Sequence, residues 1–280
     1  MISVYLNYDP SEVIISSDMT TNSPFGLFVN DVPVISGDWQ CKIHYNGKQI
    51  RQISNWKESC TQNKNENENE CELIEIESEL EGGFKLKRFC LLDVANQIFI
   101  AGDLVLGESV IGNDCNVELQ YESTFIYSDK LQPNTSIKNN SRNITFKPCS
   151  KLRSVQKPAS FRVVPLALSM LKSLKARSGK ISLCQNCNNS SMLIPLFFDF
   201  KLSRLSKTII QRELTVGENL EKVNPNKAAG YRIQIDKDQF MFYRSLTPPA
   251  NRTLLGHNLI DEICYAKFNP KLGVNPLLTK

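Results

Sequence analysis

Along residues 72–80, Ile74, Ile76 and Leu80 alternate with Glu75, Glu77 and Glu79. A period of two suits an extended strand with one face in a core and one acidic face in water, and it does not fit a helix. After Gly82-Gly83, the segment Phe84-Lys-Leu-Lys-Arg88 resumes the alternation, which predicts an antiparallel hairpin. Glutamate and lysine rows on its outer face would support the pairing by roughly 0.2–1 kcal/mol per pair.

Similar signals recur. Residues 97–106 make a more continuous apolar strand with Gly102 as a candidate bulge. Further strands are expected at 116–127, 159–168, 192–200, 208–215, 230–236 and 239–246, the last two joined at Asp236-Lys-Asp238. Helical spacing occurs once, where Ala167, Met170, Leu171 and Leu174 follow Pro165 and precede Gly179, predicting a short helix over Leu166–Arg177. Many short strands and at most one helix define an all-β chain, a large antiparallel β-sandwich of the supersandwich kind. One domain over 1–280 accommodates it, with loose loops at the asparagine- and glutamate-rich 61–70 and at 129–143.

The 280 residues are 41% hydrophobic, which excludes wholesale disorder, and a chain this long buries about three quarters of its unfolded surface without metal or disulfide staples. It contains no apolar run long enough for a transmembrane helix. The first residues resemble no secretory leader, and nine widely spaced cysteines suit reduced thiols, so a cytoplasmic location is expected. The net charge of +4 conceals a split. Residues 1–150 carry 12 basic and 21 acidic side chains, whereas residues 151–280 carry 21 and 8. From Lys151 to Lys180 there is no acidic residue at all. Such a surplus raises the question of an anionic partner.

Few motifs carry chemistry. Cys184-Gln-Asn-Cys187 could hold two zinc ligands or a redox dithiol, but no second ligand pair accompanies it, so a structural pair of thiols in a turn is favoured and no cofactor is expected. Of the two histidines, His44 fits a strand face, while His257 follows Gly256 at a turn where a functional role is easier to accommodate. The densest polar cluster runs from Tyr243 to Asn258. Arg244, Asn251, Arg252 and His257 are its candidate ligand-binding residues, for an acidic or hydroxylated ligand. Arg244 alternates with Phe240 and Phe242, so it could equally be buried in a structural ion pair with Asp261 or Glu262. The basic stretch has only Phe161 to stack on a base and no nucleic-acid motif, which disfavours nucleic acid as a partner. No catalytic residue is marked.

Trp39-Gln-Cys-Lys-Ile43, the strand pair over 72–92 ending Lys87-Arg88-Phe-Cys-Leu-Leu-Asp93, and Ile98-Phe-Ile-Ala-Gly-Asp103-Leu-Val-Leu-Gly107 together resemble the C-terminal β-sandwich of heparinase II/III-type polysaccharide lyases. The resemblance covers about a third of the chain. It implies a fold and not a lyase activity, because the lyases draw their catalytic tyrosine and histidine largely from a helical toroid that this chain lacks. Gly230-Tyr-Arg-Ile-Gln-Ile235 with Tyr243-Arg-Ser-Leu-Thr-Pro-Pro-Ala-Asn-Arg-Thr-Leu-Leu-Gly256 is similar to a family of planctomycete-type bacterial proteins, a likeness that implies no activity.

The sandwich pattern, the basic second half and the lyase-module resemblance lead to one expectation: a non-catalytic binding or accessory module, with an acidic carbohydrate as ligand. A lyase-like carbohydrate-active enzyme built around Asp236, His257 and Arg244, or a structural protein that self-associates through its acidic and basic halves, are the alternatives.

Overall fold

A computed structural model describes residues 2–6, 15–17, 25–29, 32–35, 39–66, 69–93, 95–96, 98–107, 117–138, 141–149, 160–200, 209–213, 216–217 and 221–280. Residues 151–159, the start of the basic stretch, and Cys115 lie outside them. The described residues are mostly strand, with short 3-10 turns at Glu81–Gly83 and Leu168–Met170. One pairing is parallel, between Ile2–Leu6 and Phe25–Val29, and the other described strand pairings are antiparallel.

The organising element is an eight-stranded sheet. Its order is Leu131–Lys138, Ser141–Pro148, Phe161–Pro165, Met192–Asp199, Ile98–Leu106, Lys85–Asp93, Asn69–Glu79, Lys57–Glu66. A five-stranded sheet in the order Leu171–Arg177, Lys180–Cys187, Leu119–Ile126, Gln40–Tyr45, Lys48–Ile50 covers one face, and Phe99, Ile194 and Phe198 meet Ile43, Phe125 and Leu183 in the core between them. A second five-stranded sheet, Ile209–Glu213, Ala228–Ile235, Asp238–Ser245, Ile263–Asn269, Gly273–Thr279, covers the other face, where Leu73, Phe89 and Ile100 meet Ile233, Phe242 and Tyr265. Coverage on both faces explains why Met192–Asp199 is buried at every position and why Ile98–Leu106 reads as nearly continuous apolar sequence.

The outer face of this last sheet carries a third, smaller core. A ribbon of Val216–Gly217, Arg252–Leu254 and His257–Leu259 lies there, with Leu254 and Leu259 in the same cluster as Met241 and Tyr243.

Four expectations are corrected. The segment predicted as a helix forms a 3-10 turn at Leu168–Met170 and then the strand Leu171–Arg177. Ser178 and Gly179 both have positive φ and make a tight hairpin turn into Lys180–Cys187, so the glycine that resembled a helix stop turns a β-ribbon. The segments 61–70 and 129–143 are not loose loops. Each contributes paired strand to an edge hairpin of the central sheet, Glu66 opposite Asn69 in one and Lys138 opposite Ser141 in the other. Edge strands need no apolar pattern to pair through their backbones, so their composition hid them. The glutamate face of Asn69–Glu79 is not uniformly wet. Glu79 and Glu77 do pair with Lys85 and Lys87, but Glu75 is fully buried beneath the sheet that carries Arg244. Finally, Gly102 is no bulge, because the register on both sides of Ile98–Leu106 is unbroken. A Cβ there would come within 2.5 Å of the Ile194 carbonyl oxygen and 2.9 Å of Pro195 Cα, so glycine permits close approach of two backbones.

In the first inter-sheet core, Arg88 and Asp103 face each other across neighbouring strands. Arg88 Nε and Nη2 donate to the two Asp103 carboxylate oxygens at 2.8 and 2.9 Å, and Nη1 donates to the Trp39 carbonyl at 3.0 Å. Tyr121 donates to Asp103 from the covering sheet at 2.5 Å. The chain's two tryptophans flank the same guanidinium, Trp39 at 4.1 Å and Trp56 at 5.0 Å from ring centroid to Arg88 Cζ. Arg88 is held firmly in its charged form: burial opposes the charge, but Asp103 more than offsets it.

Three outcomes are expected. Arg88→Met should lower unfolding free energy by about 3–5 kcal/mol and change tryptophan emission, since it strands a buried carboxylate. The triple change Arg88→Met, Asp103→Leu, Tyr121→Phe should recover much of the loss in denaturant melts, and a triple variant no more stable than the single one would refute the argument. Gly102→Ala should cost about 1–3 kcal/mol in the same melts, because the clashing atoms are backbone.

Candidate functional site

The candidate residues of the carboxyl-terminal cluster separate onto two faces of one sheet. In Asp238–Ser245, Phe240, Phe242 and Arg244 point toward the central sheet, whereas Tyr243 and Ser245 point outward to the ribbon. The hairpin's own alternation therefore places Arg244 and Arg252 on opposite sides.

Arg244 is fully buried. Its Nη2 lies 2.7 Å from Glu75 Oε2 and 2.9 Å from Glu262 Oε1. Lys87 and Lys280 reach Glu75 Oε1 at 3.3 and 3.0 Å, and Lys87 also reaches Glu262 at 3.2 Å. This network ties the acidic first half of the chain to the basic second half. Burial alone would raise the Glu75 pKa, but Arg244, Lys87 and Lys280 together hold it below its ordinary 4.5. Nearby, Tyr265 donates to Asp93 Oδ2 at 2.8 Å across the same core. Burial raises the Asp93 pKa against opposing hydrogen bonds from Asn96 and Tyr265, and burial beside that carboxylate pushes the Tyr265 phenol far up. Arg244 thus serves a structural ion pair, with Glu262 as anticipated and with Glu75 as a partner that strand periodicity had placed in water.

Arg252 lies on the outer face, 5% exposed. Its Nη1 donates to Tyr243 Oη at 2.8 Å and Ser245 Oγ at 2.5 Å, and Nη2 donates to Thr247 Oγ1 at 2.7 Å. Ser245 in turn donates to the Thr247 carbonyl at 2.7 Å. Beside this group opens a pocket of about 620 Å³. The turn at 221–227 and the segment 247–252 form its walls, and Leu246 N bonded to the Lys227 carbonyl at 2.9 Å joins the two. Among its described lining residues, Lys222, Lys227 and Arg252 give three cations against the single carboxylate of Glu221, while Asn224, Thr247 and Asn251 add amide and hydroxyl groups. The volume is within the range of about 300–1,000 Å³ usual for small-molecule sites. Sequence reading found Asn251 and Arg252 but missed Lys222, Asn224 and Lys227, which no local pattern sets apart from ordinary surface residues.

The other candidates stand elsewhere. His257 begins the ribbon strand His257–Leu259 after the Leu255-Gly256 turn, half-buried and outside the described pocket wall. Asp236 occupies the turn at one end of the hairpin 228–245, some 25 Å along the strand from Arg244 by the usual rise per residue. These three do not converge. Cys184 and Cys187 lie on the strand Lys180–Cys187 and not in a turn. Three residues apart on a strand, they point to opposite faces: Cys187 is buried in the core, and Cys184 lies near Gln120 on the outer one. They cannot jointly ligate a metal, and among the described residues no group of three or more histidine, cysteine, aspartate or glutamate side chains has metal-site geometry. His44 lies half-buried on the strand Gln40–Tyr45.

No protein-family profile matches the chain, and no curated protein matches it in sequence. Its fold weakly resembles the heparinase type. It is similar to heparan sulfate lyase HepC from Pedobacter heparinus, at 11% identity over 73% of this chain with a TM-score of 0.44, and to a mutant of that enzyme with a TM-score of 0.45. A kojibiose phosphorylase candidate from the human microbiome matches 60% of the chain at 9% identity and a TM-score of 0.36. The chain spans 30% of the length of HepC and 22% of the length of the latter protein. These likenesses concern fold alone. Among the described residues no helix is long and apolar enough to cross a membrane.

The Glu75 network predicts a pH dependence. A carboxylate whose folded pKa is depressed contributes stability above its unfolded value of about 4.5, and that stability is lost as pH falls through the lower folded value. Glu75→Gln, which leaves Arg244 short of a buried partner, should cost about 3–5 kcal/mol at neutral pH in chemical denaturation. The cost should shrink below pH 4; an equal loss at every pH would contradict the assignment.

Proposed function

We propose that this protein is a non-catalytic binding or accessory β-module whose ligand is an acidic carbohydrate, taken at the pocket beside Arg252. The observation that carries the reading is the composition of the pocket's described lining: three cations, one carboxylate and several amide and hydroxyl groups around a ligand-sized space. Hydroxyl-rich ligands need such mixed donors and acceptors, and an acidic one also needs the excess of positive charge. The separation of Asp236, His257 and Arg244 weighs against the enzyme built on them. Burial of Arg244 against Glu75 satisfies part of the charge split within the chain, which weakens the motive for charge-driven self-association. The nine widely spaced cysteines suit reduced thiols and so a cytoplasmic setting.

Calorimetric titration with anionic polysaccharides, heparan sulfate and polygalacturonate among them, should show binding that a neutral polysaccharide does not. Lys222→Gln with Lys227→Gln should weaken it several-fold at low salt, by removal of screened attraction. Absence of binding to every anionic polysaccharide tested would overturn the proposal.

A further inference from the structure

The three buried guanidinium groups of the described chain are not equivalent. Arg88 faces Asp103, and Arg244 faces Glu75 and Glu262. Arg252 is also buried, though at 5% exposure less deeply, yet its hydrogen-bond partners are the neutral hydroxyls of Tyr243, Ser245 and Thr247, and among the described residues no carboxylate lies within ion-pair distance of it. Hydroxyls satisfy donors but do not balance charge, and a buried charge without a counter-charge is costly. Three of the guanidinium's five donors are engaged in these bonds, which fix its orientation and leave two for a ligand. The group also stands on the wall of the pocket.

From this arrangement we infer that Arg252 is the specificity-determining residue of the pocket, seating one oxyanion group, a carboxylate or sulfate, at the end of a saccharide. The inference rests on the reading of the pocket as a carbohydrate site and goes beyond it, by assigning recognition to a single buried cation and a saccharide end in place of charge spread along a polymer. Lys222 and Lys227 are exposed, so their attraction is screened by salt and serves approach more than discrimination. Glu221, the one carboxylate among the described wall residues, is exposed, and it and Asn251 are placed to accept or donate to sugar hydroxyls.

The probes are glucuronate, glucose 6-sulfate and glucose, titrated by NMR or calorimetry against the full chain. Native protein should prefer at least one acidic sugar over glucose by about tenfold or more, the size expected of a charge-assisted hydrogen bond. Folded Arg252→Gln, checked by circular dichroism and thermal melting, should lose that preference for the acidic sugar over glucose. Lys222→Gln with Lys227→Gln should retain it to within about threefold. A native-protein measurement serves should Arg252→Gln fail to fold: preference for the acid should persist at about 0.5 M salt, where exposed charges are screened over only a few ångströms. Preference that survives in folded Arg252→Gln, or that vanishes in salt or with the lysines, overturns the role of Arg252 and leaves the carbohydrate reading standing. Binding of polymers without any of the three sugars also overturns it. Failure of native protein to bind any saccharide, polymeric or simple, overturns both.

Discussion

A sheet covered on both faces cannot turn a charged side chain toward water, and this constraint shapes the whole chain. Any charge on the central strands must meet its partner within a core or be held at its rim. On one face Arg88 and Asp103 of adjacent strands answer each other, and the covering sheet contributes Tyr121. On the other, Glu75 is matched by Arg244 and Lys280 from the sheet above, with Lys87 of the adjacent central strand closing the network. The first pair locks two neighbouring strands, while the second fixes how one layer sits upon another. Their geometry adds specificity that apolar contact, being non-directional, does not supply.

The charge split along the chain acquires a physical meaning from the layers. The first half supplies much of the central sheet, including Lys57–Glu66, Asn69–Glu79, Lys85–Asp93 and Ile98–Leu106, and the second half supplies the sheet carrying Arg244 and Tyr265. Acidic Glu75 and Asp93 face the basic and phenolic groups of that layer. The two carboxylates then diverge. Surrounding cations keep Glu75 ionised, whereas burial with only neutral donors in direct contact raises the Asp93 pKa. One acid is therefore a cross-layer ion and the other a cross-layer hydrogen-bond acceptor.

Local pairings were legible in the sequence because they depend on period and turn residues. The hairpins at 69–93 and 228–245 follow from alternation on either side of Gly82-Gly83 and Asp236-Lys237. The third layer was not legible. Glu75 alternates with isoleucines just as a solvent-facing residue would, and only a partner far along the chain makes its burial tolerable. The helical spacing of Ala167, Met170, Leu171 and Leu174 failed for a related reason: a few apolar residues fit either period, and the Ser178-Gly179 turn with its waiting strand decided the outcome. At the pocket, Asn251 and Arg252 stood out as a polar cluster. Lys222 and Lys227 join them only because two separated turns meet beside the ribbon. Arg244, close in sequence, is excluded by the alternation of its own strand.

That exclusion also determines where recognition can reside. The inner arginines are already neutralised, and a ligand would have to displace Asp103 or Glu75 and then leave a buried carboxylate stranded, at a cost of several kcal/mol. The outer ribbon imposes no such exchange. Tyr243, Ser245 and Thr247 hold the Arg252 guanidinium in place without cancelling its charge, so orientation is provided by the fold while the electrostatic interaction is left for a partner. A carboxylate in place of any of these hydroxyls would neutralise the guanidinium and abolish the reason for an anion to enter.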